Sequence, residues 1–219
     1  MKKFILACSI SISTMQVFTA QMFADTLSSI DFLEYSMHTP NTNKYFNRFD
    51  TTTINAFNIP IEYIATLESE GQLIDVDTTK WKYLTRQFDN GYEFIPILRK
   101  MLADADVPQE FLFLAMAESE FKSQALSSKK AAGIWQLMPA TAKELGLIID
   151  EYIDERQDPI KSTQAAIKYL QYLHKATGKW YLAAMAYNCG LGRLNRAIRE
   201  AESDSIEVLL DEGKQYLPL

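Results

Sequence analysis

Between Asp106 and Ala201 the chain is cut into short segments by helix starts and helix stops, and nothing between them alternates as a strand would. That punctuation is the strongest constraint on the fold. Asp106-Val107-Pro108-Gln109 reads as an N-cap, an early proline and a reciprocal-cap residue, opening a helix from Val107 to about Glu120. Pro139 opens a second helix through Leu145, stopped by Gly146. Asp158-Pro159 starts a long helix carrying Ile160, Ala166, Ile167, Leu170, Leu173 and His174, and Gly178 ends it. Trp180 to Asn188, stopped by Gly190, and Leu191 to Ala201 are two more. Helices in succession without strands predict an all-α domain.

The flanks are less regular. From Thr79, the residues Leu84, Phe88, Phe94, Ile97, Leu98, Met101 and Leu102 recur at helical spacing, with Asn90-Gly91 as a break. Residues 25–78 are polar and uneven, with short helices expected around 28–37, 42–50 and 60–70. Residues 206–219 read as a C-terminal tail, closing on Tyr216-Leu217-Pro218-Leu219 with no terminal helix signal. The first 24 residues read as a signal peptide: Met1-Lys2-Lys3 is a positive n-region, and Phe4 to Val17 is apolar but too short to span a bilayer. Ala20 and Ala24 are the candidate ends, and an uncleaved anchor is the alternative. This reading makes the protein an exported one, soluble or membrane-associated.

Charge and cysteine usage narrow the function classes. A net charge of -6 and a pI near 5.1 argue against a nucleic-acid binder, which normally carries a basic face. With Cys8 lost alongside the leader, Cys189 is a lone thiol, so no internal disulfide is expected. His38 and His174 are isolated in the sequence and read as surface or boundary residues rather than metal ligands.

One residue breaks the pattern of its own helix. The apolar stripe of the 107–120 segment runs Phe111, Leu114, Ala115, and its next position is Glu118. A carboxylate where periodicity asks for a hydrophobe is either paired with a cation, or frayed to solvent, or held there for chemistry. Desolvation on such a stripe favours the protonated acid, as a general acid requires. Glu120, two residues on, points to another face and is expected to be solvated.

Four ordered blocks then resemble a known family, the bacterial lytic transglycosylases with a soluble-lytic-transglycosylase-like domain, most similar to the membrane-bound D subgroup. They are Ala117-Glu118-Ser119-Glu120-Phe121; Ala125-Leu126-Ser127 with Ala132-Gly133-Ile134-Trp135-Gln136-Leu137-Met138-Pro139-Ala140-Thr141-Ala142; Asp154-Glu155-Arg156-Gln157-Asp158-Pro159 leading into Ala165-Ala166-Ile167-Lys168-Tyr169-Leu170; and Ala186-Tyr187-Asn188-Cys189-Gly190. The resemblance covers residues 107 to about 200. Cys189 departs from it, standing where small residues such as alanine are commoner. Relatives of this subgroup often continue into glycan-binding repeats, and none is seen here.

The resemblance implies a lysozyme-like helical domain, set here at 79–205, with a minor β-ribbon near the catalytic helix. It implies cleavage of the bond between N-acetylmuramic acid and N-acetylglucosamine, leaving a 1,6-anhydromuramoyl end. Glu118 is the implied single acid and base. Ser127, Gln136, Met138, Tyr187 and Asn188 are the implied substrate-binding residues, with Tyr187 near the carboxylate. Met138 as core and Asn188 as a helix cap are the plain alternatives. Trp135 reads equally as sugar platform or packing, and Arg156 and Asp158 read as structural. The acidic run Asp150, Glu151, Asp154, Glu155 reads as a solvated loop or capping segment. No cofactor or metal and no nucleic acid is implied. The expected partner is peptidoglycan and the expected state a monomer. The rival readings are a muramidase-type hydrolase of the same bond, a glycan-binding scaffold without activity, and a wall-opening enzyme serving a secretion or conjugation machine.

Overall fold

The computed structural model describes residues 56–60 and 89–209. The expected leader, the helices expected around 28–37 and 42–50 and most of that expected around 60–70, Leu84, Phe88, Cys8, His38 and the tail beyond 209 lie outside the described residues. The described chain is helical: α1 Ile95–Asp104, a 3₁₀ turn Gln109–Phe111 running into α2 Leu112–Ser119, α3 Pro139–Glu144, a 3₁₀ turn Glu155–Gln157, α4 Pro159–Thr177, α5 Trp180–Cys189, α6 Leu191–Ala201 and α7 Ile206–Leu209. Extended pairing is limited, among these residues, to the isolated bridges Leu126–Ala132, Ala132–Leu137 and Ile149–Asp154. The first two form the small ribbon after α2.

Local chemistry explains α4 from end to end. The Asp158 carboxylate accepts the N–H groups of Ile160 (2.8 Å) and Lys161 (2.9 Å), and Pro159 fills a position whose N–H would have no partner. Gly178 closes the helix in the left-handed region, φ 75°, where a side chain would be strained. Ala165, Ala166, Leu170 and Leu173 are buried along its inner face.

Two expectations at the start of the domain are corrected. Asp106 does not cap the following helix. It is left-handed, φ 54°, and belongs to the end of α1: its N–H reaches Ala103 O (3.1 Å), and Val107 N–H reaches Leu102 O (3.0 Å). These two bonds, with Val107 and Leu102 both buried, make a Schellman ending. Gln109 is not a reciprocal cap either, because its amide oxygen accepts from Arg99. In α1, Ile95 rather than Ile97 faces the core; Ile97 is exposed. The segment expected as a tail begins with α7, whose Ile206 and Leu209 are buried.

The buried side chains form two clusters. One gathers α1, α2, the ribbon and the inner face of α4 around Leu98, Leu102, Phe111, Phe121, Ile134 and Trp135. The other lies under α5, α6 and α7 around Leu173, Leu182, Met185, Leu194 and Leu209. Each buried large side chain contributes roughly 1.5–3 kcal/mol of transfer free energy. The α4 helix supplies Leu170 to the first cluster and Leu173 to the second, and Tyr187 packs against both. The seam between the clusters therefore passes beside Tyr187.

Candidate active site

The site is built where α2 stops. Glu118 occupies its penultimate position and is half-buried rather than fully enclosed. Two successive non-glycine residues then turn left-handed, Glu120 at φ 54° and Phe121 at φ 57°. Such a conformation costs about 1–2 kcal/mol for each L-residue. Full burial of the Phe121 ring offsets it, and Asn90 Nδ2 donates to Glu120 O at 2.9 Å to hold the turn. The Glu120 carboxylate pairs with Lys122 at 2.6 Å in a part-exposed position, so it is half-solvated rather than open.

Facing this end is the segment 125–138, and three anchors fix it. Ser119, buried, reaches Ile134 O at 2.9 Å across to the ribbon and Ala115 O at 3.0 Å in its own helix. Tyr187 donates its hydroxyl proton to Trp135 O at 2.8 Å. Arg156, almost wholly buried, donates to Lys130 O (2.6 Å) and Leu137 O (3.0 Å) while its other nitrogens engage both oxygens of Asp154. That pairing holds the Asp154 carboxyl below its usual range, the Arg156 hydrogen bond being the main cause. Gly133 allows the ribbon to lie on this arginine: a Cβ there would sit 1.7 Å from Arg156 O, and its φ is 77°.

The expected substrate-binding residues fare differently. Gln136 is half-buried at φ 46°, and its Nε2 donates to Gly133 O (2.9 Å) and Ala125 O (3.3 Å). Both partners are carbonyls, so the amide orientation is set by chemistry and Oε1 is the end left to accept from a ligand. Met138 is 45% exposed, which removes the core alternative. The Ser127 oxygen accepts Ala131 N–H at 2.9 Å within a turn of the ribbon. Asn188 is exposed on the last turn of α5. Burial raises the Tyr187 phenol well above its ordinary range, and the neighbouring negative charge of Glu118 adds to the effect. The fold therefore sets Glu118 within electrostatic reach of Tyr187. It places Gln136 next to the carbonyl that Tyr187 holds.

Other readings change in detail. Trp135 is fully buried and cannot stack on a sugar; its Nε1 donates to Thr163 Oγ1 at 2.8 Å, which donates onward to Pro159 O at 2.6 Å. The acidic run is not uniformly solvated, since Glu155 is buried, accepts Ile148 N–H at 2.8 Å and pairs with Lys161. Asp158 and Arg156 are structural, as expected. His174 is a boundary residue, its ring stacked on Trp180 at 3.8 Å. Among the described residues no group of three His, Cys, Asp or Glu side chains is placed to hold a metal ion. Two residues of the site had no assigned part in the sequence reading: Ser119, and Tyr169, whose ring packs against Tyr187 at 5.3 Å between centroids. The signal for Ser119 was present. It lies one helical turn after Ala115, on the buried stripe.

Comparison with known proteins follows the same stretch of chain. The family profile described as the transglycosylase SLT domain matches residues 96–210. A protein of Alteromonas sp. (strain M-1) named for tributyltin chloride resistance is 46% identical over 94 residues, 42% of this chain and 45% of that one. The membrane-bound lytic murein transglycosylase D of Escherichia coli (strain K12) is 39% identical over 120 residues, 52% of this chain and 26% of its own length. Peptidoglycan transglycosylase gp16 of Escherichia phage T7 is 38% identical over 107 residues, 48% of this chain and 8% of its own. The chain thus spans less than half the length of each of these relatives.

Proposed function

The chain belongs to the transglycosylase SLT domain family, and from that premise we propose that it is a peptidoglycan lytic transglycosylase with Glu118 as its single acid and base. The observation that carries the reading is the placement of Glu118. It is half-buried at the end of α2, within electrostatic reach of the half-buried Tyr187, beside a wall fixed by three anchors. A sugar oxygen can approach a carboxyl in that position, and a fixed wall keeps the approach in register.

The chemistry needs only this one carboxyl. Protonated Glu118 gives its proton to the glycosidic oxygen between N-acetylmuramic acid and N-acetylglucosamine as the bond to muramic C1 breaks. The resulting carboxylate removes the proton of the muramic C6 hydroxyl. That oxygen bonds to C1, closing a 1,6-anhydro ring and restoring the acid, and no water is consumed. The Tyr187 proton is engaged by Trp135 O, so its oxygen is available to Glu118 as an acceptor, a role that favours the protonated acid. Gln136 Oε1 is suited to accept an acetamido N–H, the Met138 side chain to lie on a sugar face, and Ser127 and Asn188 to bond hydroxyls. The site of action is the cell envelope, where this polymer lies. No helix among the described residues is long and apolar enough to cross a membrane.

The test is mass spectrometry of purified peptidoglycan digested by the full chain and by Glu118→Gln. Anhydromuropeptides are expected from the wild type, with a rate loss of roughly 10²–10⁴-fold in the variant. Reducing ends would make the protein a hydrolase with a second, water-activating carboxylate. Silence from the wild type under conditions where it binds glycan would make it a scaffold.

A further inference from the structure

The aromatic contacts do not stop at Tyr187. Its ring meets Tyr169 at 5.3 Å, and Tyr169 meets Tyr172 at 6.4 Å with the planes only 12° apart. Tyr169 and Tyr172 are one turn apart on α4, so the helix itself sets their stacking. Exposure rises along the series: Tyr187 and Tyr169 are half-buried, and Tyr172 is 57% exposed. Burial raises the Tyr169 phenol, with Tyr172, Cys189 and Glu144 adding to the shift. An exposed tyrosine on a helix ordinarily samples several rotamers. Here the ring lies nearly parallel to that of its neighbour, and more than half of the residue is exposed.

We propose that Tyr172 is a sugar-stacking platform that extends the glycan site beyond the bond cleaved, with Tyr169 as the residue that positions it. The occupant is a pyranose of the same glycan strand, whose apolar C–H face packs on the ring. This assignment rests on the proposed function, because the ring series begins beside Glu118 and Tyr187. A rigid aromatic face binds a sugar at low entropic cost, since few rotamers are lost when the ligand arrives. Stacking needs the ring and not the hydroxyl, which gives the proposal a sharp chemical signature.

The experiment uses the full chain and a peptide-free tetrasaccharide of alternating N-acetylglucosamine and N-acetylmuramic acid. Calorimetric titration in a Glu118→Gln background isolates binding from turnover. Tyr172→Ala is expected to weaken the tetrasaccharide roughly threefold to tenfold, while Tyr172→Phe binds as the parent does. In the otherwise wild-type chain, Tyr172→Ala should raise KM and leave kcat unchanged. Binding equal in all three proteins overturns the proposal, as does equal weakening by Ala and Phe, which would point to the hydroxyl. Self-association that Tyr172→Ala abolishes, with glycan binding intact, overturns it in favour of a contact between copies. Thermal melting of each variant reports folding, and a side chain this exposed should leave it unaltered. If the wild type releases no anhydromuropeptides yet the background protein still loses affinity with Tyr172→Ala, the platform stands and the cleavage reading fails.

Discussion

The helices α2 and α4 end in opposite ways. The α4 helix follows every local rule: a carboxylate cap, a proline in the first turn, a left-handed glycine after the last. The α2 helix follows none of them. It enters through a 3₁₀ turn without a side-chain cap and leaves through a glutamate and a phenylalanine that are both left-handed. Its polar residues Glu118 and Ser119 sit where a stable helix would place hydrophobes. Strain and misplaced polarity gather at the helix end that carries the proposed acid, and the regular helix behind it supplies the rigidity that holds them. The lesson is one of division: α4 is built for stability and the end of α2 for position.

The contrast can be broken most severely at Gly133. The substitution Gly133→Ala drives a Cβ into the Arg156 carbonyl at a strained φ, and about 4 kcal/mol of stability should be lost. Urea unfolding and glycan turnover should fall together, because this glycine seats the ribbon that faces the proposed acid, Glu118. A variant that keeps both would show that the ribbon tolerates displacement.

Arg156→Met comes next, at about 3 kcal/mol, since Lys130 O and Leu137 O lose a donor and Asp154 loses its partner. The same pair predicts an acid limit. The Asp154 and Glu155 carboxyls both lie below their ordinary values, Asp154 through Arg156, and Glu155 through the Ile148 N–H and then Lys161. Their stabilising contribution is complete above the unfolded-chain values near pH 4 and is lost as pH falls through the lower folded values. Melting temperature measured from pH 6 downward should drop below about pH 4, and less steeply in Arg156→Met. A curve unchanged by the substitution would remove the ion pair from the account.

Asp158→Ala gives the smallest effect. Loss of the cap on α4 should cost about 1 kcal/mol and leave turnover at the wild-type level. If turnover fell with stability, the regular helix and the active helix end would be less separable than their geometry indicates.

The same contrast governs what could be read from the sequence. The residues Asp158, Pro159, Gly178, Pro139 and Gly190 mark helix ends correctly because a cap or a left-handed turn is decided by atoms within a few residues. Glu118 stood out for a related reason: its place on the stripe follows from helical periodicity. The failures lie where a local signal had two uses. Asp106 has the chemistry of an N-cap, and the backbone bonds from Asp106 to Ala103 and from Val107 to Leu102 assign it to the end of α1 instead.

By itself, the sequence determined the helical class, most helix limits and the residue at which periodicity yields to a carboxylate. The tertiary structure decided which side of each irregular segment meets solvent. Trp135 is buried because Thr163, 28 residues away, takes its N–H, and Met138, three positions later, is left outside. Tyr187 gives its proton to a carbonyl 52 residues distant, and Ser119 grips another 15 residues away. A segment without periodicity carries no record of its partners, so its orientation exists only once those distant groups have been brought together.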